Sequence, residues 1–157
     1  ILSLIREWND VYEKDLSKII SFLEAEIHNQ PTLLILSGPV GAGKTTFSKK
    51  LISKLLKEDD NDLEVVSPTY SVINKIDEIV HADFYRIESE EELIHLELSL
   101  YLENCKLLIV EWGKDYYSSL KEEVGDDFKT LELVIDFEIK NDQQVTTSRT
   151  AKLFNLC

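Results

Sequence analysis

The sequence has 157 residues, long enough for one sizeable core and too short for two. Thirty Asp and Glu stand against 17 Lys and Arg, a formal net charge of −13 at pH 7. So acidic a chain argues against direct binding of a nucleic-acid backbone, which rewards basic stripes, and any RNA connection is expected to run through a partner.

No apolar run approaches the ~18 residues of a membrane span, and no charged-then-apolar leader opens the sequence, so a cytoplasmic protein without membrane contact is expected. Cys105 and Cys157 lie far apart without CxxC or His spacing, which suggests neither a disulfide framework nor a zinc site. Met is absent throughout and Ile1 comes first, so an initiator and other Met positions, whose loss would alter spacings, are expected to be missing.

In chain order, Leu16, Ile19, Ile20, Leu23 and Ile27 recur at helical spacing and predict an amphipathic helix over about residues 10 to 28, with Pro31 as punctuation. Leu33 to Leu36 is a short continuous apolar run, as expected of a strand buried on both faces. The glycine-containing stretch GPVGAGKTTF follows at 38 to 47, and then Phe47, Leu51, Ile52, Leu55 and Leu56 form one helical face that EDDND at 58 to 62 ends. Val65 and Val66 open another strand before Ser67-Pro68-Thr69. Tyr70 to Ile76 and Ile79 to Phe84 flank Asp77-Glu78 as a hairpin would.

Ser89 with Glu92 makes a capping box for a helix through about Leu96, continuing loosely toward Leu102. Residues 106 to 110, KLLIV, are the next buried strand, and it ends on Glu111. Leu131, Leu133, Ile135, Phe137 and Ile139 alternate with Glu132, Val134, Asp136, Glu138 and Lys140, which predicts a half-exposed antiparallel strand with a turn at Asn141-Asp142 into a last strand. With GPVGAGKT between a strand and a helix, the order of a phosphate loop, the sum is a single α/β domain over residues 1–157, P-loop NTPase-like, with a mainly parallel central sheet, antiparallel additions and flanking helices.

Gly38 to Thr45 spell G-x-x-x-x-G-K-[ST] between a strand and a helix. Glycines at such spacing allow torsions and close approach that a side chain would block, so successive N–H groups can face phosphate oxygens. The helix starting there adds the positive end of its dipole. Lys44 would neutralise β and γ oxygens, and the Thr45 hydroxyl would bind Mg²⁺.

Mg²⁺ also needs a carboxylate at the tip of a neighbouring strand, where Glu111 stands, although a solvated strand-end charge would look the same. In HADFYR, residues 81 to 86, an extended strand would put His81, Asp83 and Tyr85 on one face, as would a solvent-facing edge strand. Asp83 could act as a base or an indirect Mg²⁺ partner, and Thr69 could sit in a switch-like loop or a plain turn. Asn74-Lys75-Ile76-Asp77 spells the guanine-reading N-K-x-D, but it precedes Glu111 within a hairpin and no DxxG accompanies it, so ATP is preferred over GTP.

GxxGAGKTTF, SPTY, HxDxYR, EEL and VEW, in this order, resemble the TsaE (YjeE) family, small bacterial ATPases of tRNA threonylcarbamoyladenosine biosynthesis, over about Leu16 to Arg149. The resemblance implies that Lys44 and Thr45 serve phosphate and Mg²⁺, that Glu111 ends the metal-binding strand, and that Asp83 acts as base or orients water. The loop residues Gly38, Val40, Gly41, Ala42, Gly43 and Thr46 belong to the nucleotide site, with Thr69 in the first switch-like loop. Trp112 follows Glu111 as in the family, Ser17 matches a helix threonine near the nucleotide, and Arg149 matches a late hairpin arginine.

Three departures stand out: Pro39-Val40 where Asp-Leu is common, Glu97 where a Gly closes the EEL segment, and Gly113 where many relatives have Pro. The resemblance further implies Mg²⁺ as cofactor, ATP as substrate, weak hydrolysis alone, and action with TsaD and TsaB, which would handle tRNA. The alternatives are a small-molecule kinase, for which Arg6, Arg86 and Arg149 are few arginines, and a nucleotide-binding module that never turns over.

Overall fold

A computed structural model describes residues 2–58, 72–139 and 145–156. Its centre is a seven-stranded sheet of order β1-β7-β6-β2-β5-β4-β3. The strands are β1 (Leu2–Val11), β2 (Thr32–Ser37), β3 (Ile73–Ile76), β4 (Ile79–Asp83), β5 (Leu107–Glu111), β6 (Lys129–Ile139) and β7 (Val145–Leu156). β2 lies parallel to both β5 and β6, and β4 parallel to β5; β3, β7 and β1 add antiparallel pairs at the two sides.

Helices cover both faces, which is why β2 reads as a continuous apolar run: Leu33 to Leu36 are each 0% exposed. On one face α1 (Leu16–Ile27) and α2 (Lys44–Leu56) pack Ile19, Leu23, Phe47, Leu51 and Ile52 on Leu34, Leu36, Ile109 and Leu133. On the other, α3 (Glu90–His95), a 3-10 turn at Leu98–Tyr101 and α4 (Tyr117–Val124) cover Leu33, Ile35, Val80, Ala82 and Val110. Each such buried side chain contributes roughly 1.5–3 kcal/mol.

Several expectations change. The first helix begins at Leu16 rather than near residue 10, because residues 10 and 11 end β1 and Glu13–Asp15 form a 3-10 turn. β1 and α4 go beyond the expected elements. The strand expected to be antiparallel is parallel to β2 through Thr32↔Lys129 to Ser37↔Val134, and only its β7 neighbour runs antiparallel. Its polar positions are not all wet, since Glu132 is 2% exposed.

The hairpin forms as expected, with Ile76 opposite Ile79 across Asp77-Glu78. β4 is no edge strand, because β5 pairs with its other side. Ser89 accepts from Glu92 N at 3.2 Å, while the Glu92 carboxylate accepts from Glu88 N at 2.9 Å, one residue earlier than a reciprocal box. Glu97 holds the left-handed turn after α3 at φ 50°, ψ 48°. The expected Val65-Val66 strand, Ser67 to Tyr70 including Thr69, the Asn141-Asp142 turn and Cys157 lie outside the described residues.

Candidate functional site

Parallel strands bring their C-terminal ends to one edge, and the loop between β2 and α2 crosses that edge. Gly38 at its root has φ 137°, and a Cβ there would meet the Ile135 carbonyl oxygen at 1.9 Å, so only glycine lets the loop lie against β6. Gly43, the residue that opens α2, has φ 106° and ψ 18°. Val40, at the loop's crest, is 66% exposed, and Pro39 contributes its carbonyl rather than its ring to the site.

The Lys44 ammonium donates to Gly38 O at 2.7 Å and Pro39 O at 2.9 Å, and lies 4.0 Å above the Trp112 ring. Burial, the main influence, lowers its pKa, and the carboxylates of Glu111 and Asp83 counter this in part. Lys44 is therefore a partly desolvated cation aimed at the loop.

Glu111, 1% exposed at the tip of β5, joins that strand to α2 and β4. Its Oε2 accepts from Thr45 Oγ1 at 2.8 Å, and its Oε1 accepts from Ser48 Oγ at 3.0 Å and faces His81 Nε2 at 2.8 Å. Burial pushes this carboxyl up; the hydrogen bond and charge of His81 with the two hydroxyls outweigh it and hold it below the ordinary value. A carboxylate has no proton to give, so His81 Nε2 donates. Asp83 pairs with Glu111 in strand register and accepts from Tyr85 N at 2.9 Å. Burial chiefly raises its pKa, with Glu111 adding to the rise and Tyr85 N, His81 and Lys44 opposing it.

Lys44, Thr45, Asp83, Tyr85, Glu111 and Trp112, with Val40, line a cleft of about 380 Å³. A second cleft of about 220 Å³ lies on the other side of the loop, walled by Val11, Tyr12, Leu16, Ile135 and Arg149. Gly41, Gly43 and Thr46 line both, so the loop is their common wall, while Ala42 lines only the second. Arg149 donates from Nε to Ala42 O at 3.3 Å and stacks 4.4 Å from the Phe137 ring centroid. The first cleft gathers an ammonium, two carboxylates and hydroxyls, and the second sets Val11, Leu16 and Ile135 beside Tyr12, Glu13 and Arg149.

Of the expected residues, the loop set, Lys44, Thr45, Asp83, Glu111 and Arg149 are thus brought together. Ser17 is exposed near Lys14 O on α1, and its neighbour Leu16 lines the second cleft instead. His81 and Ser48 act on Glu111 without having been singled out: His81 precedes Asp83 by the two residues that share a strand face, and Ser48 follows Lys44 by one helical turn. Tyr12 had no signal, since β1 was not expected. Asp77 of N-K-x-D lies beside Lys57 and Lys106 at the opposite end of the sheet, where Ile79 pairs with Leu107.

Comparison with known proteins agrees with this geometry. The sequence model of the family described as "Threonylcarbamoyl adenosine biosynthesis protein TsaE" matches residues 11–150. Among proteins named tRNA threonylcarbamoyladenosine biosynthesis protein TsaE, that of Bacillus subtilis is 27% identical over 154 residues, 96% of this chain and 89% of its own length. The Haemophilus influenzae protein is 26% identical over 69% of this chain and 74% of its own. The Rickettsia felis protein is 30% identical over 68% of this chain, which spans only 60% of that relative's length. A match over most of the chain, on a sheet whose strand tips carry the matched motifs, means that the chain belongs to the TsaE family of threonylcarbamoyl adenosine biosynthesis proteins.

Proposed function

We propose that this chain binds ATP with Mg²⁺ across the glycine loop and hydrolyses it as the nucleotide-driven subunit of tRNA threonylcarbamoyladenosine synthesis, working in the cytoplasm with TsaD and TsaB. The observation that carries the reading is the convergence on Glu111, which holds the Thr45 hydroxyl at 2.8 Å beside the Lys44 and Asp83 that line the same cleft. Phosphate fits the loop because Gly38, Gly41 and Gly43 hold positive φ, the N-terminus of α2 opens behind them and the Lys44 ammonium lies against them. Mg²⁺ fits because the donors available, the Thr45 hydroxyl and the Glu111 and Asp83 carboxylates, are hard oxygens. When bound, that ion would neutralise phosphate charge.

The chain's own residues do the rest. Lys44 leaves the loop carbonyls for β and γ oxygens, and Trp112 beneath it keeps water from the ammonium. Asp83, whose carboxyl sits above its ordinary value at the rim of the cleft, orients water and takes its proton. Arg149, Tyr12 and Leu16 seat the nucleoside in the second cleft.

A net charge of −13 supports a division in which the partners hold tRNA and this chain supplies a switch. ATP can drive such a switch only through unequal affinity for two states of the assembly. Calorimetric titration with MgATP and MgGTP tests the nucleotide reading: binding of MgATP with GTP at least tenfold weaker is expected. Equal binding of both would contradict the choice of ATP, and binding of neither would remove the function.

A further inference from the structure

β6 carries a carboxylate where the apolar side chain of a covered strand would be cheaper. Glu132 is 2% exposed, on the sheet face that Leu33 and Ile35 share with α4. A buried, ionised group costs several kcal/mol of desolvation unless paired, and replacing it by a hydrophobe of similar size is often neutral or stabilising. Its partners show what the arrangement accomplishes. Glu132 Oε1 accepts from Ser37 Oγ at 2.6 Å and from Lys114 Nζ at 3.1 Å. Ser37 is the residue immediately before Gly38, and Lys114 comes two residues after Trp112.

The two segments so joined are the two that frame Lys44. One supplies its carbonyl acceptors, Gly38 O and Pro39 O; the other supplies the Trp112 ring on its far side. A backbone bond from Trp112 N to Leu36 O at 3.3 Å already ties them once. Trp112 itself is held at φ 60°, a conformation a tryptophan keeps only when its surroundings impose it.

We propose that Glu132 is a positioning residue: through Ser37 and Lys114 it fixes the root of the loop against the Trp112 turn and so sets where the Lys44 ammonium stands. This rests on the reading that the loop binds ATP. The contact to Ser37 carries more of the effect than that to Lys114, whose side chain is 65% exposed and screened.

Four variants test it by MgATP titration, single-turnover hydrolysis and thermal melting: Glu132→Leu, Glu132→Gln, Ser37→Ala and Lys44→Ala. Glu132→Leu is expected to weaken MgATP about tenfold while melting at or above the wild-type temperature, a split that a purely structural residue would not give. Glu132→Gln keeps an acceptor oxygen for Ser37 and should restore affinity to within about threefold of wild type. Ser37→Ala should weaken MgATP severalfold, and adding Glu132→Leu to it should cost less than Glu132→Leu costs alone, since both break one contact.

Glu132→Leu binding MgATP within about twofold of wild type overturns the proposal. If Glu132→Leu does not fold, unchanged affinity in Ser37→Ala overturns it instead. Lys44→Ala separates the two levels: if it loses MgATP while Glu132→Leu does not, this inference alone fails, and if wild type binds no MgATP, the nucleotide reading falls with it.

Discussion

Gly38 and Gly43, two of the three loop glycines, make unequal demands, and Gly38→Ala is the sharper test of the loop's geometry. The added Cβ would stand 1.9 Å from the Ile135 oxygen and 3.0 Å from its carbon. Against an ordinary C···O contact of about 3.3 Å, the loop root or β6 must retreat by roughly 1.4 Å. Neither can do so freely: Ile135 pairs with Ala151 in the β6–β7 ladder, and Gly38 follows directly on Ser37, paired with Val134.

Overpacking of this kind costs about 1–3 kcal/mol, and a side chain at φ 137° adds strain of about 1–3 kcal/mol. A loss on the order of 4 kcal/mol corresponds to roughly 8–16 °C in melting temperature for a chain of this length. Gly43→Ala meets nothing within 4 Å and bears only the strain of φ 106°, so roughly half that drop is expected. Gly38→Ala should also weaken MgATP at least about tenfold, because the loop that would receive the phosphates moves with its root. Scanning calorimetry with MgATP titration reads both effects. Gly38→Ala melting within a few degrees of wild type, or melting above Gly43→Ala, would refute the close approach to Ile135.

Lys44→Ala should lose MgATP affinity by about tenfold to a hundredfold, the worth of a charge-assisted hydrogen bond, as calorimetric titration would read. Glu111→Gln should bind nucleotide yet release phosphate slowly. Because the folded pKa of Glu111 lies below its ordinary 4.5, its ionisation stabilises the fold above that value and the contribution fades as pH falls below it; urea melts across acid pH should therefore be less steep for Glu111→Gln. Asp83 has the opposite sign. Its folded pKa lies above 3.8, so stability declines as pH rises through that window, and Asp83→Asn should melt higher than wild type at pH 7, converge with it in acid, and hydrolyse ATP poorly. Glu97→Gly should leave the fold intact and change its stability by under about 1 kcal/mol, since relief of the left-handed conformation at φ 50° is offset by a freer unfolded chain; a loss of several kcal/mol in a denaturant titration would contradict the turn.

The strand, loop and helix around Lys44 were legible because each leaves a different mark: an unbroken apolar run, paired glycines, then a helical stripe. β1 left none. Its ladder with β7 slips between Leu4 and Arg6 and again between Trp8 and Val11, and each irregularity breaks the period of two that reveals a strand. β6 misled in one respect, because alternation reports which faces are polar, not what a polar residue meets; Glu132 alternates in step with the exposed Asp136 and is buried on Ser37 and Lys114.

HADFYR gave the right face and left the setting open. His81 and Asp83 do point together, but β3 flanks one side of β4 and β5 the other, a fact of topology that no local pattern contains. Glu111 was legible as the acid at a strand tip, whereas its grip on Ser48 and His81 depends on register across 63 and 30 residues of sequence.

The most direct test of the central claim follows phosphate release and tRNA modification together, with MgATP, tRNA, TsaB, TsaD and either the wild-type chain or Glu111→Gln. The account predicts that wild type sustains repeated rounds of modification with phosphate release that rises when the partners are added, and that Glu111→Gln supports neither. Equal modification with both chains, or phosphate passing from ATP to a small acceptor without the partners, would contradict it.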